Sequence, residues 1–234
     1  MSLEHPTALV TGGGSGIGAE IARRLMAEGA TVWVMGRRRE ALEQVSPHTV
    51  VGDLGAEADR ARAVDECGDL DVLVNNAATG EGDWQQTLEV NLTAAHRLTE
   101  LALPGLIRRG GAIVNVSSLG GLRAHGGSPQ YGVSKAALIQ LTQSQAVRLG
   151  PQGVRANAVC PGWVRTPMAD QEVDQLAALR DLSSRNAGGL RVSGCCHVLL
   201  GGCRCRFVPG VDLGGDLGDP LAGAGLAGRV LVPP

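Results

Sequence analysis

A short apolar run, Thr7 to Thr11, passes without a linker into Gly12-Gly13-Gly14-Ser15-Gly16-Ile17-Gly18, and this glycine turn opens into a segment carrying Ile17, Ile21, Leu25 and Met26 on one stripe. The apolar run reads as a buried strand, and the stripe buries only one face of a helix. Such alternation of short apolar runs with longer helical patterns is the signature of strand–helix–strand units around a parallel sheet. The pattern continues with strands at Thr31–Met35, Thr49–Val51, Asp71–Asn75, Ala112–Val116 and Val154–Val159. Helices are expected at Glu40–Val45, Ala56–Cys67, Trp84–Arg109 and Tyr131–Leu149, with Pro104 kinking or dividing the third of these. Six strands joined by helical crossovers predict an α/β fold, a doubly wound parallel sheet of order 3-2-1-4-5-6, with a ligand crevice at the carboxyl ends of the strands.

The 234 residues are enough for one sizeable core. A net charge of -2 with no basic stripe argues against nucleic acid or an anionic membrane surface as partner and for small-molecule chemistry. Met1 to Pro6 lacks the charged region and apolar run of a signal peptide, and no stretch approaches the roughly 18 apolar residues of a membrane span; the expectation is a soluble, cytoplasmic protein with no membrane contact. Residues 1–180 are expected to form the catalytic domain. Residues 181–234 form an atypical segment lying on it: no glutamate follows Glu172, glycine becomes dense, and Cys195, Cys196, Cys203 and Cys205 crowd together. This texture matches a frame-shifted reading of GC-rich DNA, and no element is placed there. Those cysteines with His197 could be read as zinc ligands, but adjacent pairs lack the usual two-residue spacer, so no metal is expected. Cys67 and Cys160 read as small buried residues rather than part of a disulfide framework.

Glycine lets the backbone turn sharply and lets a pyrophosphate approach it, while the helix start supplies N–H groups and a favourable dipole. A merely flexible turn is the alternative in a chain with 35 glycines. Tyr131 and Lys135 are the only tyrosine and the only lysine. A spacing of plus four between two randomly placed residues arises on the order of once in two hundred cases. On a helix the pair shares one face. A phenol of pKa about 10 is a poor base near neutrality, and a neighbouring ammonium favours the phenolate, making Tyr131 a usable acid/base.

In order along the chain, Gly12, Gly16 and Gly18 form GxxxGxG, Asn75-Asn76-Ala77-Ala78 follows strand four, Asn91 stands in Val90-Asn91-Leu92, Ser117-Ser118 closes strand five, Tyr131 and Lys135 form YxxxK, and Pro161-Gly162 follows strand six. This set resembles the short-chain dehydrogenase/reductase family over roughly residues 7 to 170, with alanine in the last place of its NNAG segment. The resemblance implies a single Rossmann domain, with a seventh strand if the tail folds as in the family, and an NAD(P)-dependent oxidoreductase. Its catalytic residues would be Ser118, Tyr131, Lys135 and Asn91. Ser118 would hydrogen-bond the substrate oxygen, standing thirteen residues before Tyr131 as in the family while its neighbour Ser117 faces the other way. Lys135 would also hold the ribose, and Asn91 would order a water relay to it. The cofactor cradle would comprise Gly12, Ser15, Gly16, Ile17, Gly18, Asn76, Ala77, Tyr131, Lys135, Pro161 and Gly162, with Asp53-Leu54 holding the adenine. A homodimer or homotetramer is implied.

Asp53 could equally cap the following helix. At the end of strand two, where a carboxylate would bind the 2′-hydroxyl of NAD, stands Met35-Gly36-Arg37-Arg38-Arg39. Guanidinium forks suit a 2′-phosphate, so NADP(H) is expected, with Arg37 the main contact and Arg38 next, unless the arginines are merely solvated. Two other classes compete with the enzyme: a nucleotide-binding regulator that turns over nothing, and a metal-binding module built on the tail. A binder has no need of Tyr131.

Overall fold

The computed structural model describes residues 5–80, 82–123, 128–162, 164, 166 and, as backbone, 197–201. Its strands are β1 (Thr7–Thr11), β2 (Thr31–Gly36), β3 (His48–Val51), β4 (Val72–Asn75), β5 (Ala112–Val116), β6 (Arg155–Cys160) and β7 (His197–Gly201), in one sheet of order β3-β2-β1-β4-β5-β6-β7. The first six run parallel as predicted, and the order reverses between β1 and β4, leaving a crevice at the carboxyl ends. β7 lies antiparallel to β6, with Ala156 opposite Gly201 and Cys160 opposite His197. The family resemblance left a seventh strand open without placing it; the run Val198-Leu199-Leu200 is its signal, too short to stand out among glycines and cysteines. The segment from 181 onward otherwise lies outside the described residues, as do Cys195, Cys196, Cys203 and Cys205.

Helices α1 (Gly16–Ala27), α2 (Arg39–Glu43), α3 (Glu57–Cys67), α4 (Trp84–Leu88), α5 (Ala94–Arg109) and α6 (Pro129–Leu149) cover the sheet. Alternation along the strands divides the core in two. Ala8, Val10, Val32, Val34 and Val74 pack with Ala19, Ala22 and Leu25 of α1, whereas Leu9, Met35, Leu73 and Ile113 pack with Leu98 and Leu106 of α5 and Leu149 of α6. With both faces buried, the strands read as continuous apolar runs. Cys67 and Cys160 are buried as thiols rather than in a disulfide, and burial pushes the Cys67 thiol up to about 12.

Two helix boundaries differ from expectation in ways that matter for the site. The α6 helix begins two residues before Tyr131, because Ser128 caps it, its Oγ accepting the Tyr131 N–H at 3.4 Å, and Pro129 supplies a preset first residue. Pro104 neither ends nor divides α5, on whose exposed side it sits. The interruption comes earlier, where Glu89–Thr93 form a π turn between α4 and α5. Such a turn inserts a residue and re-aims the side chains around it, here Asn91.

Candidate active site

At the carboxyl end of β1, the Thr11 hydroxyl donates to Val74 O (3.3 Å) and accepts the N–H groups of Asn76 (3.0 Å) and Ala77 (3.1 Å). The Asn76 amide donates in turn to Thr11 O (2.9 Å) and Gly12 O (3.3 Å). These bonds keep β1 and β4 together just beyond the ladder, under the glycine turn. A Cβ on Gly18 would lie 2.4 Å from both Gly12 O and Asn76 Nδ2, so only glycine lets α1 descend onto the turn. The first-turn N–H groups of α1, at Gly16, Ile17 and Gly18, have no helical acceptor behind them and carry the positive end of the helix dipole. A cradle that a Cβ would fill, ringed by such donors, fits a pyrophosphate. Pro161 is buried and accepts the Leu119 N–H at 2.9 Å; beyond Gly162 the chain returns to the turn, bringing the Thr166 methyl to 3.1 Å from where a Cβ on Gly16 would stand. Thr166 was not among the expected site residues; its placement depends on the return of the chain, which the spacing after Pro161-Gly162 does not reveal.

Beside β2, Arg38 NH2 donates to the Ser15 hydroxyl at 3.3 Å, laying a guanidinium across the glycine turn. Arg37 is exposed, and Arg39 lies 3.5 Å from Glu43 on its own helix. Asp53 does not cap α3, whose cap position is Ala56; its carboxylate instead accepts the Gly55 N–H at 2.9 Å, closing a turn that leaves it at the surface above buried Leu54.

Ser118 follows β5 and caps the single turn Leu119–Gly121, its Oγ accepting the Gly120 N–H at 3.1 Å. That bond uses a lone pair and leaves the hydroxyl proton to donate elsewhere. Ser117 points the other way and donates to Lys135 O at 2.8 Å. Gly121 sets the distance between this turn and α6: a Cβ there would stand 2.7 Å from the Lys135 carbonyl carbon and 2.8 Å from Ala136 N. Its role was not anticipated, since nothing in the sequence marks one glycine among many as a backbone contact. Gly121→Ala is expected to lower kcat at least about tenfold by pushing Ser118 away from α6; unchanged steady-state rates would contradict this packing.

Lys135 is buried, only 2% exposed, and donates from Nζ to Val116 O at 2.8 Å, with Nζ 5.7 Å from the centre of the Tyr131 ring. That is within cation–π range. Burial pushes the Lys135 ammonium down to about 8, against a smaller upward pull from Cys160. A lysine desolvated beside the phenol it would polarise is the arrangement that proton-transfer chemistry calls for.

Asn91 is 1% exposed, and its amide is fully engaged: Oδ1 accepts the Thr79 N–H (2.8 Å), while Nδ2 donates to Thr79 O (3.0 Å) and Ser134 Oγ (3.0 Å). Ser134 donates to Tyr131 O at 2.7 Å. Asn91 therefore holds the β4–α4 loop to the first turns of α6, below Tyr131. Beneath it runs a second network absent from the sequence reading: Asn75 donates to Thr99 (3.3 Å) and to Asn115 (2.8 Å), and Asn115 donates to Thr142 (2.8 Å) and Gln145 (2.9 Å). Paired amides across β4 and β5 tie both helices to the sheet at fixed height.

Among the described residues no helix is long and apolar enough to cross a membrane, and no three His, Cys, Asp or Glu side chains gather as metal ligands. The short chain dehydrogenase family model matches residues 6–177, ending close to where the composition changes. D-beta-hydroxybutyrate dehydrogenase of Cupriavidus necator is 35% identical over 198 residues, covering 75% of this chain and 77% of that protein. The 3-oxoacyl-(acyl-carrier-protein) reductase of Vibrio harveyi is 30% identical over 235 residues, 91% and 96% of the two chains. A solved variant of actinorhodin polyketide ketoreductase with NADPH superposes with a TM-score of 0.70 at 34% identity, covering 79% of this chain and 80% of that one. The chain thus belongs to the short-chain dehydrogenase/reductase family, the NAD(P)-dependent oxidoreductases whose fold and ordered motifs it carries.

Proposed function

We propose that the chain reduces a ketone, aldehyde or 3-ketoacyl group with NADPH, and runs the reverse oxidation with NADP, using Ser118, Tyr131 and Lys135. The observation that carries this reading is the buried Lys135 ammonium beside the Tyr131 ring. Bound nicotinamide supplies or accepts the hydride. Tyr131 gives its phenolic proton to the carbonyl oxygen as that oxygen gains negative charge, and takes it back in oxidation. Ser118 donates its free hydroxyl proton as a hydrogen bond to the same oxygen, whose charge it stabilises. Lys135, held by Val116 O, lowers the cost of the phenolate left on Tyr131. Asn91 acts on Tyr131 indirectly, through Ser134. Gly12, Ser15, Gly16, Ile17, Gly18, Asn76, Ala77, Pro161 and Gly162 would hold the pyrophosphate and nicotinamide side, and Asp53-Leu54 the adenine.

NADP(H) is favoured because Gly36 offers no carboxylate to a 2′-hydroxyl, while Arg37 and the Arg38 guanidinium over Ser15 stand ready for a 2′-phosphate. Replacing both arginines by alanine is expected to weaken NADPH about 30-fold and leave NADH within about threefold, as read from dissociation constants. Tighter NADH than NADPH binding by the unaltered protein would overturn the preference. Val133 and Val147, two heptads apart on α6, are 46% and 79% exposed, which supports burial between copies in a homodimer or homotetramer. A cytoplasmic setting suits this use of NADPH.

A further inference from the structure

Arg60 lies on α3 and has no role in the site described above, yet its side chain is only 6% exposed. A buried guanidinium must be paired, whereas Arg24 and Arg62, both at the surface, find a carboxylate within one helical turn, in Glu28 and Asp59. Arg60 does not. Its NH1 donates to Leu54 O in the β3–α3 loop, and the same nitrogen lies 3.6 Å from Oε1 of Glu89, the first residue of the π turn that carries Asn91. Its Nε is buried without a partner among the described residues, so the site accepts a desolvation cost to keep this one cation in place.

We infer that Arg60 is a positioning residue: it ties the loop at Asp53-Leu54 to the π turn at Asn91, so that one guanidinium sets both the adenine end and the catalytic end of the crevice. The inference rests on the proposed nucleotide reading for the meaning of those ends. NH1 fixes the height of the Leu54 carbonyl by a hydrogen bond and, from the same nitrogen, holds Glu89, two residues before the amide that bonds Thr79 and Ser134. A displacement at either end therefore reaches the other through a single charged side chain.

The test is hydrogen exchange on the full chain, comparing the unaltered protein with Arg60→Met and Glu89→Gln, with and without NADPH, alongside kcat and KM. Arg60→Met is expected to speed exchange about tenfold in peptides spanning both 52–56 and 89–93, leaving β1 unaffected, and Glu89→Gln to speed only 89–93. Both variants should lower kcat about threefold to tenfold at saturating NADPH, because Asn91 no longer holds α6 in register. A role confined to the stability of α3 would lower the melting temperature and leave 89–93 unchanged; unchanged exchange there in both variants overturns the inference. If Arg60→Met does not fold, Glu89→Gln, which alters a partly exposed carboxylate, decides alone. Should NADPH protect nothing in the unaltered protein while Arg60→Met still loosens both segments, the nucleotide reading fails and the tie stands. NADPH protection with no loosening in either variant removes the tie and leaves that reading intact.

Discussion

Tyr131→Phe is expected to lower kcat for carbonyl reduction about a thousandfold while changing the dissociation constant for NADPH less than about threefold. The phenol pairs an ionisable proton with a neighbouring cation at the mouth of the crevice, and removing its oxygen leaves the ring packing against Lys135 Nζ largely as it was. Binding and chemistry should therefore separate in this variant. A loss of kcat no larger than that of a surface substitution would remove Tyr131 from the mechanism; a parallel loss of NADPH affinity would make it a binding residue instead.

Lys135→Met is expected to lower kcat at least about a hundredfold and, in the same protein, to change how stability depends on pH. Burial holds the folded-state pKa near 8, below the roughly 10.4 of an unfolded lysine. Below about 8 both states carry the proton, and the folded protein bears the full penalty of a buried ammonium, on the order of 3 kcal/mol. Between about 8 and 10.4 the folded lysine has lost its proton while the unfolded one keeps it, so this residue makes stability rise with pH. The difference in unfolding free energy between the unaltered protein and Lys135→Met should accordingly grow in favour of the former from pH 8 to 10, a comparison that cancels the opposite alkaline effect of the Cys67 thiol. Parallel stability profiles would contradict the buried ammonium. The residue is retained against a stability cost, as expected of a functional rather than a structural lysine.

Much of the fold was legible because the parallel sheet is buried on both faces, so each strand announced itself as a short apolar run between helical stripes. Element boundaries at caps were legible in principle: Ser128-Pro129 is a start signal, and reading the helix from Tyr131 overlooked it. The π turn at Glu89–Thr93 had no such signal, since the contact made by the asparagine it carries, from Asn91 to the backbone of Thr79, joins residues twelve apart. Ser118, Tyr131 and Lys135 could be named from order and spacing, yet the parts that hold them together could not. Gly121 packs on the backbone of Lys135, Ser117 bonds its carbonyl, and Asn115 joins β5 to α6, each through tertiary contact alone. Asp53 showed the converse: a reasonable capping pattern in sequence became a closed turn at the rim of the crevice. β7 escaped because three apolar residues are too few to outweigh an unusual composition, whereas its hydrogen-bonding partner, the open edge of β6, exists only in the folded sheet.

The proposed reaction transfers hydride between NADPH and a carbonyl group with Tyr131 as proton donor. Its most direct test follows NADPH absorbance with the purified protein against a panel of ketones, aldehydes and 3-ketoacyl thioesters. Steady consumption of NADPH with at least one of them, with the corresponding alcohol as product and the rate abolished in Tyr131→Phe, is the predicted result. Tight NADPH binding with no turnover across the panel, or turnover that survives the substitution undiminished, would contradict it.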